Sequence, residues 1–222
     1  MLKAAIIDDG IDASQFKNVK SWVIKKDLSI ENENIISVKD NHACTCLKII
    51  QKYCDMSDVF WHSIKILNDD TKRGNIRQFI EALRLCEQLE VKIIHLSIGT
   101  RSYSDFNLIE KSIEALCDKG TIIIAAACNE GTVAYPACMN GVIGVKCDFS
   151  ATDQQYLYNC NTLDNISFSA SARHILRDRG KLRLSLQSNS YAAPLITSKA
   201  LSLLTRRPVS YTHLRAHETG AY

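Results

Sequence analysis

Apolar runs of strand length alternate with amphipathic stretches of helix length along this chain. Residues 3–7, 59–67, 91–96, 121–126 and 142–145 are short and rich in Ile and Val, as expected of strands covered on both faces of a parallel sheet. Between them, residues 42–53, 75–89 and 104–119 place apolar side chains at helical spacing. In the second of these, Ile76, Phe79, Ile80, Leu83, Leu85 and Cys86 form one stripe, with Arg77, Glu81, Arg84 and Glu87 opposite. Residues 148–186 are more polar and rich in turn formers. A last apolar segment, 190–204, carries Pro194 near its start, where a helix tolerates proline.

The alternation predicts a three-layer α/β/α fold, with a mainly parallel central sheet and helices on both faces. Ligands of such sheets sit in the crevice outside the carboxyl ends of the strands. Polar residues that directly follow an apolar strand are therefore where chemistry is expected.

Composition narrows the class. With 222 residues, 46% of them hydrophobic and 23% charged, the chain has the make-up of one globular domain rather than a disordered segment. No stretch approaches the roughly 20 apolar residues of a membrane span, and none reads as a signal peptide, so no membrane partner is expected. Nine cysteines, an odd number with several inside apolar runs, fit buried thiols in a reducing compartment, and the expected location is cytoplasmic. Residues 206–222 show no apolar period and read as a non-native or disordered tail. Without them the charged residues are nearly balanced at 24 basic and 23 acidic, so the net charge gives no reason to expect a nucleic-acid partner.

Three places carry candidate chemistry. The first strand ends on Asp8, Asp9 and a glycine turn; His42 opens a predicted helix; and Ser190 opens the last one, among small residues. An aspartate that orients a histidine, which takes the proton from a serine, is the minimum machinery for acyl transfer. Other roles stand beside these. Asp9 or Asp12 could serve as the active carboxylate, His42 could be a capping or core histidine, and Ser190 could be a helix N-cap. Cys44 and Cys128 are rival nucleophiles. Cys44, Cys46 and Cys54 lack the second matched pair of a zinc site, so no metal is expected. His62 and His95, inside strands, and His174, in a loop, read as satisfied core histidines.

The quoted motifs resemble those of the subtilases, the subtilisin-like serine peptidases of family S8. Asp8-Asp9-Gly10-Ile11 matches the aspartate motif D-[ST]-G-[IV], His42-Ala43-Cys44-Thr45-Cys46-Leu47 the motif H-G-T-x-V-A, and Ser188-Asn189-Ser190-Tyr191-Ala192-Ala193-Pro194 the motif G-T-S-x-A-x-P. Ser97-Ile98-Gly99 resembles the cleft strand S-x-G, and Ala125-Ala126-Ala127-Cys128-Asn129-Glu130-Gly131 the segment that supplies the oxyanion asparagine. The resemblance implies a subtilisin-like peptidase domain over 1–205, cut short at its C-terminal end, with no required cofactor.

It also implies roles: Ser190 as nucleophile, His42 as general base and then acid, Asp8 as the group that fixes the imidazole, and Asn129 as an oxyanion donor. Ser97, Ile98, Gly99, Ala125, Ala126 and Ala127 would line the substrate cleft, and the partner would be a peptide or protein substrate. A role in processing an intracellular peptide precursor is expected. Ala43, Cys128, Ser188 and Asn189 depart from the motifs, three of them replacing glycine, which usually permits close backbone approach. Those departures motivate two alternatives, a catalytically impaired subtilase-like peptide-binding protein and an esterase or acyl transferase on the same triad.

Overall fold

The computed structural model describes residues 1–33, 41–160, 162–178 and 180–205. The tail expected at 206–222 lies outside these described residues.

Among the described residues, nine strands form one sheet. The strands named below are β1 (Leu2–Asp8), β2 (Val19–Ile24), β3 (Ile30–Asn32), β4 (Val59–Lys65), β5 (Ile93–Leu96), β6 (Ile122–Ala126), β7 (Val142–Cys147), β8 (Tyr156–Tyr158) and β9 (Phe168–Ala170). Their spatial order is β3-β2-β4-β1-β5-β6-β7-β9-β8, parallel from β2 through β9, with antiparallel β3 and β8 at the two edges. A separate hairpin pairs β10 (Ile175–Asp178) with β11 (Lys181–Leu184). Among the described residues there are four α-helices: α1 (His42–Tyr53), α2 (Ile76–Gln88), α3 (Phe106–Asp118) and α4 (Asn189–Thr205).

Strand periodicity explains the three layers. Side chains alternate across the sheet, so a strand apolar at every position feeds two cores at once. In β1, Ala4 and Ile6 face one core with Leu47 and Ile50 of α1 and Leu195 and Ile196 of α4. Ala5 and Ile7 face the other, with Phe79 and Leu83 of α2 and Ile109 and Ile113 of α3. The expected three-layer α/β/α arrangement is thus present.

The differences have local reasons. β8 and β11 are exposed at every position and β3 is at most half-buried, so no apolar alternation marks them in the sequence. Helix α3 starts at Phe106 rather than Ser104, because a short 3₁₀ turn at Tyr103–Asp105 precedes it. Pro194 is the sixth residue of α4, not part of its opening, so it removes a helical hydrogen bond. The carbonyl deprived of its donor is that of Ser190.

Candidate active site

The carboxyl ends of β1, β5 and β6 and the N-termini of α1 and α4 converge on a cavity of roughly 890 Å³. Asp8, His42, Ser97, Ile98, Gly99, Asn129 and Ser190 all line it. A smaller neighbouring cavity is bounded by Ser97, Ile98, Gly99, Ala126, Ala127, Asn129 and Ser190. Ala125 lies in the apolar core on the α2–α3 side, fully buried, and its place is structural.

Asp8 is the last residue of β1 and is buried, with one carboxylate oxygen taking the Asp9 amide at 2.8 Å. Its other oxygen lies 2.7 Å from His42 Nδ1. The chain then turns at Gly10, whose φ of 91° suits glycine.

Two side chains fix the start of α1, and with it His42. Asn41 is the N-cap, accepting from the Cys44 amide at 3.0 Å while its own amide donates to the Gly10 carbonyl. Asp9 accepts from the amides of His42 at 3.1 Å and Ala43 at 3.0 Å, and its charge suits the positive end of the helix. Asp9 therefore anchors the helix while Asp8 holds the imidazole. Asp12 caps the 3₁₀ turn at Ala13–Gln15 instead.

Cys46 is a member of the site that reading the sequence for nucleophiles missed. One helical turn after His42, its sulfur lies 3.8 Å from Nδ1 and 4.0 Å from Nε2 of the ring. The signal was the i, i+4 spacing. Burial opposes protonation of His42, but Cys46 and the Asp8 carboxylate outweigh it and hold its pKa above the ordinary value. The Tyr191 ring covers the imidazole at a centroid distance of 5.1 Å.

Ser190 is the second residue of α4. The Ser188 carbonyl accepts the Tyr191 and Ala192 amides, so Ser188, not Ser190, occupies the capping position. Among the described residues the Ser190 amide has no acceptor, and no hydrogen bond joins the Ser190 hydroxyl to His42.

Asn129 and Asn189 organise the opposite wall. The Asn129 side-chain oxygen accepts the Asn189 amide at 2.8 Å, which leaves its NH₂ group as the free donor. Asn189, which stands where the resembling motif has threonine, is tied in by its own side chain. It accepts from the Cys147 amide at 2.7 Å and donates to the carbonyls of Ala127 at 3.1 Å and Cys128 at 2.8 Å. This departure is built into the loop rather than disturbing it.

Gly99 also has a steric reason: a Cβ there would stand 2.7 Å from the Tyr135 carbonyl oxygen. As for the rival thiols, Cys44 is buried and its sulfur accepts the Asp12 amide at 3.2 Å. Cys128 accepts from the Thr132 hydroxyl at 3.3 Å, which together with the Glu130 amide lowers its pKa. Among the described residues no cluster of three His, Cys, Asp or Glu side chains is arranged to hold a metal ion. None of their helices is long and apolar enough to cross a membrane.

A model of the subtilase family matches residues 2–218. No curated protein matches the chain. Solved structures do, at low identity. The S41 psychrophilic protease is 18% identical with a TM-score of 0.66, covering 97% of this chain and 81% of its own. A lanthipeptide protease is 14% identical with a TM-score of 0.69, covering 97% and 76%. The nisin leader peptidase NisP from Lactococcus lactis is 16% identical with a TM-score of 0.64, covering 91% and 77%.

Proposed function

The chain belongs to the subtilase family, and from that premise we propose that it is a serine endopeptidase acting through an acyl-enzyme on Ser190. The observation that carries this reading is the 2.7 Å Asp8–His42 contact opening on the cavity that Ser190 and Asn129 also line. His42 Nε2 takes the hydroxyl proton as Ser190 Oγ attacks the scissile carbonyl carbon, and returns it to the leaving amine. Water then repeats the sequence and frees the acid. Asp8 holds Nδ1–H and steadies the imidazolium. Among the described residues the Asn129 NH₂ and the Ser190 amide have no acceptor, and they would serve as donors to the tetrahedral oxyanion. An extended peptide would pair along Ser97–Gly99, with Ala126 and Ala127 on the facing side.

The proposed substrate is a precursor peptide from which a leader is removed inside the cell. Two similar folds belong to proteins named a leader peptidase and a lanthipeptide protease, and the nine cysteines, an odd number with several buried, fit a reducing compartment. A fluorophosphonate probe tests the enzyme reading. The folded wild type is expected to label and Ser190→Ala is not; a folded wild type that stays unlabelled overturns it in favour of a non-catalytic peptide binder. Alkylation that abolishes activity, with Cys44→Ala or Cys128→Ala inactive, would instead identify a thiol nucleophile.

A further inference from the structure

The sequence places His95 among the core histidines, and the structure buries it completely in β5. Its hydrogen bonds lead to the nucleophile. Nδ1 lies 2.8 Å from the Thr197 hydroxyl on α4, and Nε2 lies 3.1 Å from the Ser97 hydroxyl just beyond β5. Ser97 in turn donates to the Ser190 carbonyl at 3.3 Å. In a continuous helix that carbonyl would accept the amide of residue 194, but Pro194 has none.

We infer that His95 is a positioning residue for the nucleophile: through Ser97 it supplies the Ser190 carbonyl with the donor that Pro194 withholds. The inference rests on the reading of Ser190 as the nucleophile.

Donor counting fixes the direction of the chain. A carbonyl only accepts, and Ser97 has one hydroxyl proton. If that proton goes to Ser190, the Ser97 oxygen must accept from His95, so Nε2 carries the ring proton. A neutral ring then offers a lone pair at Nδ1, which the Thr197 hydroxyl fills. Burial, seconded by the charge of nearby His42, lowers the His95 pKa to about 3, so the ring is neutral across the working range.

The other tautomer breaks the chain. Nδ1–H would donate to Thr197, whose own proton can turn to the Ala193 carbonyl at 3.1 Å. Ser97 would then donate to His95, leaving Ser190 only the Cys46 thiol at 3.7 Å. One proton position in a buried ring thus decides whether the first turn of the serine helix is held to the strand end that lines the cleft. On the other flank of α4, His174 Nε2 lies 2.8 Å from the next carbonyl, that of Tyr191. Histidines therefore secure the two carbonyls that begin at the nucleophile.

The test begins with the wild type: fluorophosphonate labelling lost in Ser190→Ala secures the underlying reading by itself. His95→Leu is then expected to lower kcat about 10- to 100-fold with KM within about twofold, as a displaced nucleophile would. His95→Gln, which can keep a donor at the Nε2 position, should recover most of the loss. Ser97→Ala should lower kcat similarly, and the double variant should be no slower than the worse single variant. Fully additive losses, or an unchanged kcat per labelled molecule in His95→Leu, would overturn the inference while leaving the peptidase reading intact. Should His95→Leu not fold, ¹⁵N shifts of the wild-type ring decide: a proton on Nε2 with bare Nδ1 is required, and the reverse overturns it.

Discussion

Asp8 Oδ2 and His42 Nδ1 stand 2.7 Å apart, although 34 positions separate them in the chain. The contact forms because β1 ends at Asp8 while Asn41 and Asp9 fix the first turn of α1 beside it. Asp8→Asn keeps the shape but removes the charge that steadies an imidazolium. The expected result is a fall in kcat of about 10⁴ with an unaltered fold. Steady-state kinetics with a thermal melt as control checks this, and a loss below about tenfold would remove Asp8 from the proposed triad.

The raised His42 pKa sets the pH dependence. A base must be neutral to accept the serine proton, so kcat/KM should be low on the acid side and rise as the pH climbs through the raised value. Cys46 is the first of the groups that overcome the opposing burial, so Cys46→Ala should move this acid limb downward. A limb that stays in place would show that the thiol does not act on His42. In linkage terms, His42 contributes stability that is fully present below the unfolded histidine pKa of about 6.5 and fades as pH rises through the folded value.

What could be read from the sequence follows from burial. β1, β4, β5, β6 and β7 serve two cores, so their unbroken apolar runs stand out, and Asp8 is visible just past the first of them, whereas Ser97 and Asn129 came only with the motifs that resemble those of the subtilases. The edge strands and the β10–β11 hairpin are largely exposed and carry no such pattern. Cys46 was within reach, since helical spacing puts it under His42. The roles of His95 and Asn189 were not, because each depends on which strand end meets which helix. Motif spacing carried Ser190, but the local sequence suggested a cap, and only the helix hydrogen bonds show that Ser188 fills that position.

Away from the site, Asn75 and Gln78 form a reciprocal cap on α2. The Asn75 side chain accepts the Gln78 amide at 2.9 Å, and the Gln78 side chain accepts the Asn75 amide at 3.2 Å while donating to the Ile24 carbonyl at 2.7 Å. Asn75→Ala should cost about 0.5–2 kcal/mol in urea unfolding, with kcat unchanged for the folded protein. A neutral effect would mean that water or a shifted turn replaces the cap.

Asn129 has two separable duties, and substitutions can divide them. Its side-chain oxygen holds the Asn189 amide, while its NH₂ group is free to face an oxyanion. Asn129→Ala removes both and is expected to lower kcat by about 10²–10³ with little change in KM. Asn129→Asp keeps the acceptor for Asn189 but has no N–H to donate, and adds a charge that repels the oxyanion. If stabilising the transition state is the larger duty, the aspartate variant loses at least as much kcat as the alanine variant, yet keeps the thermal stability that alanine gives up. If Asn129 mainly holds the Asn189 loop, aspartate remains active and only alanine fails. Measuring kcat and Tm for both variants on one peptide substrate separates the outcomes, and an active Asn129→Asp would move the oxyanion site to other donors.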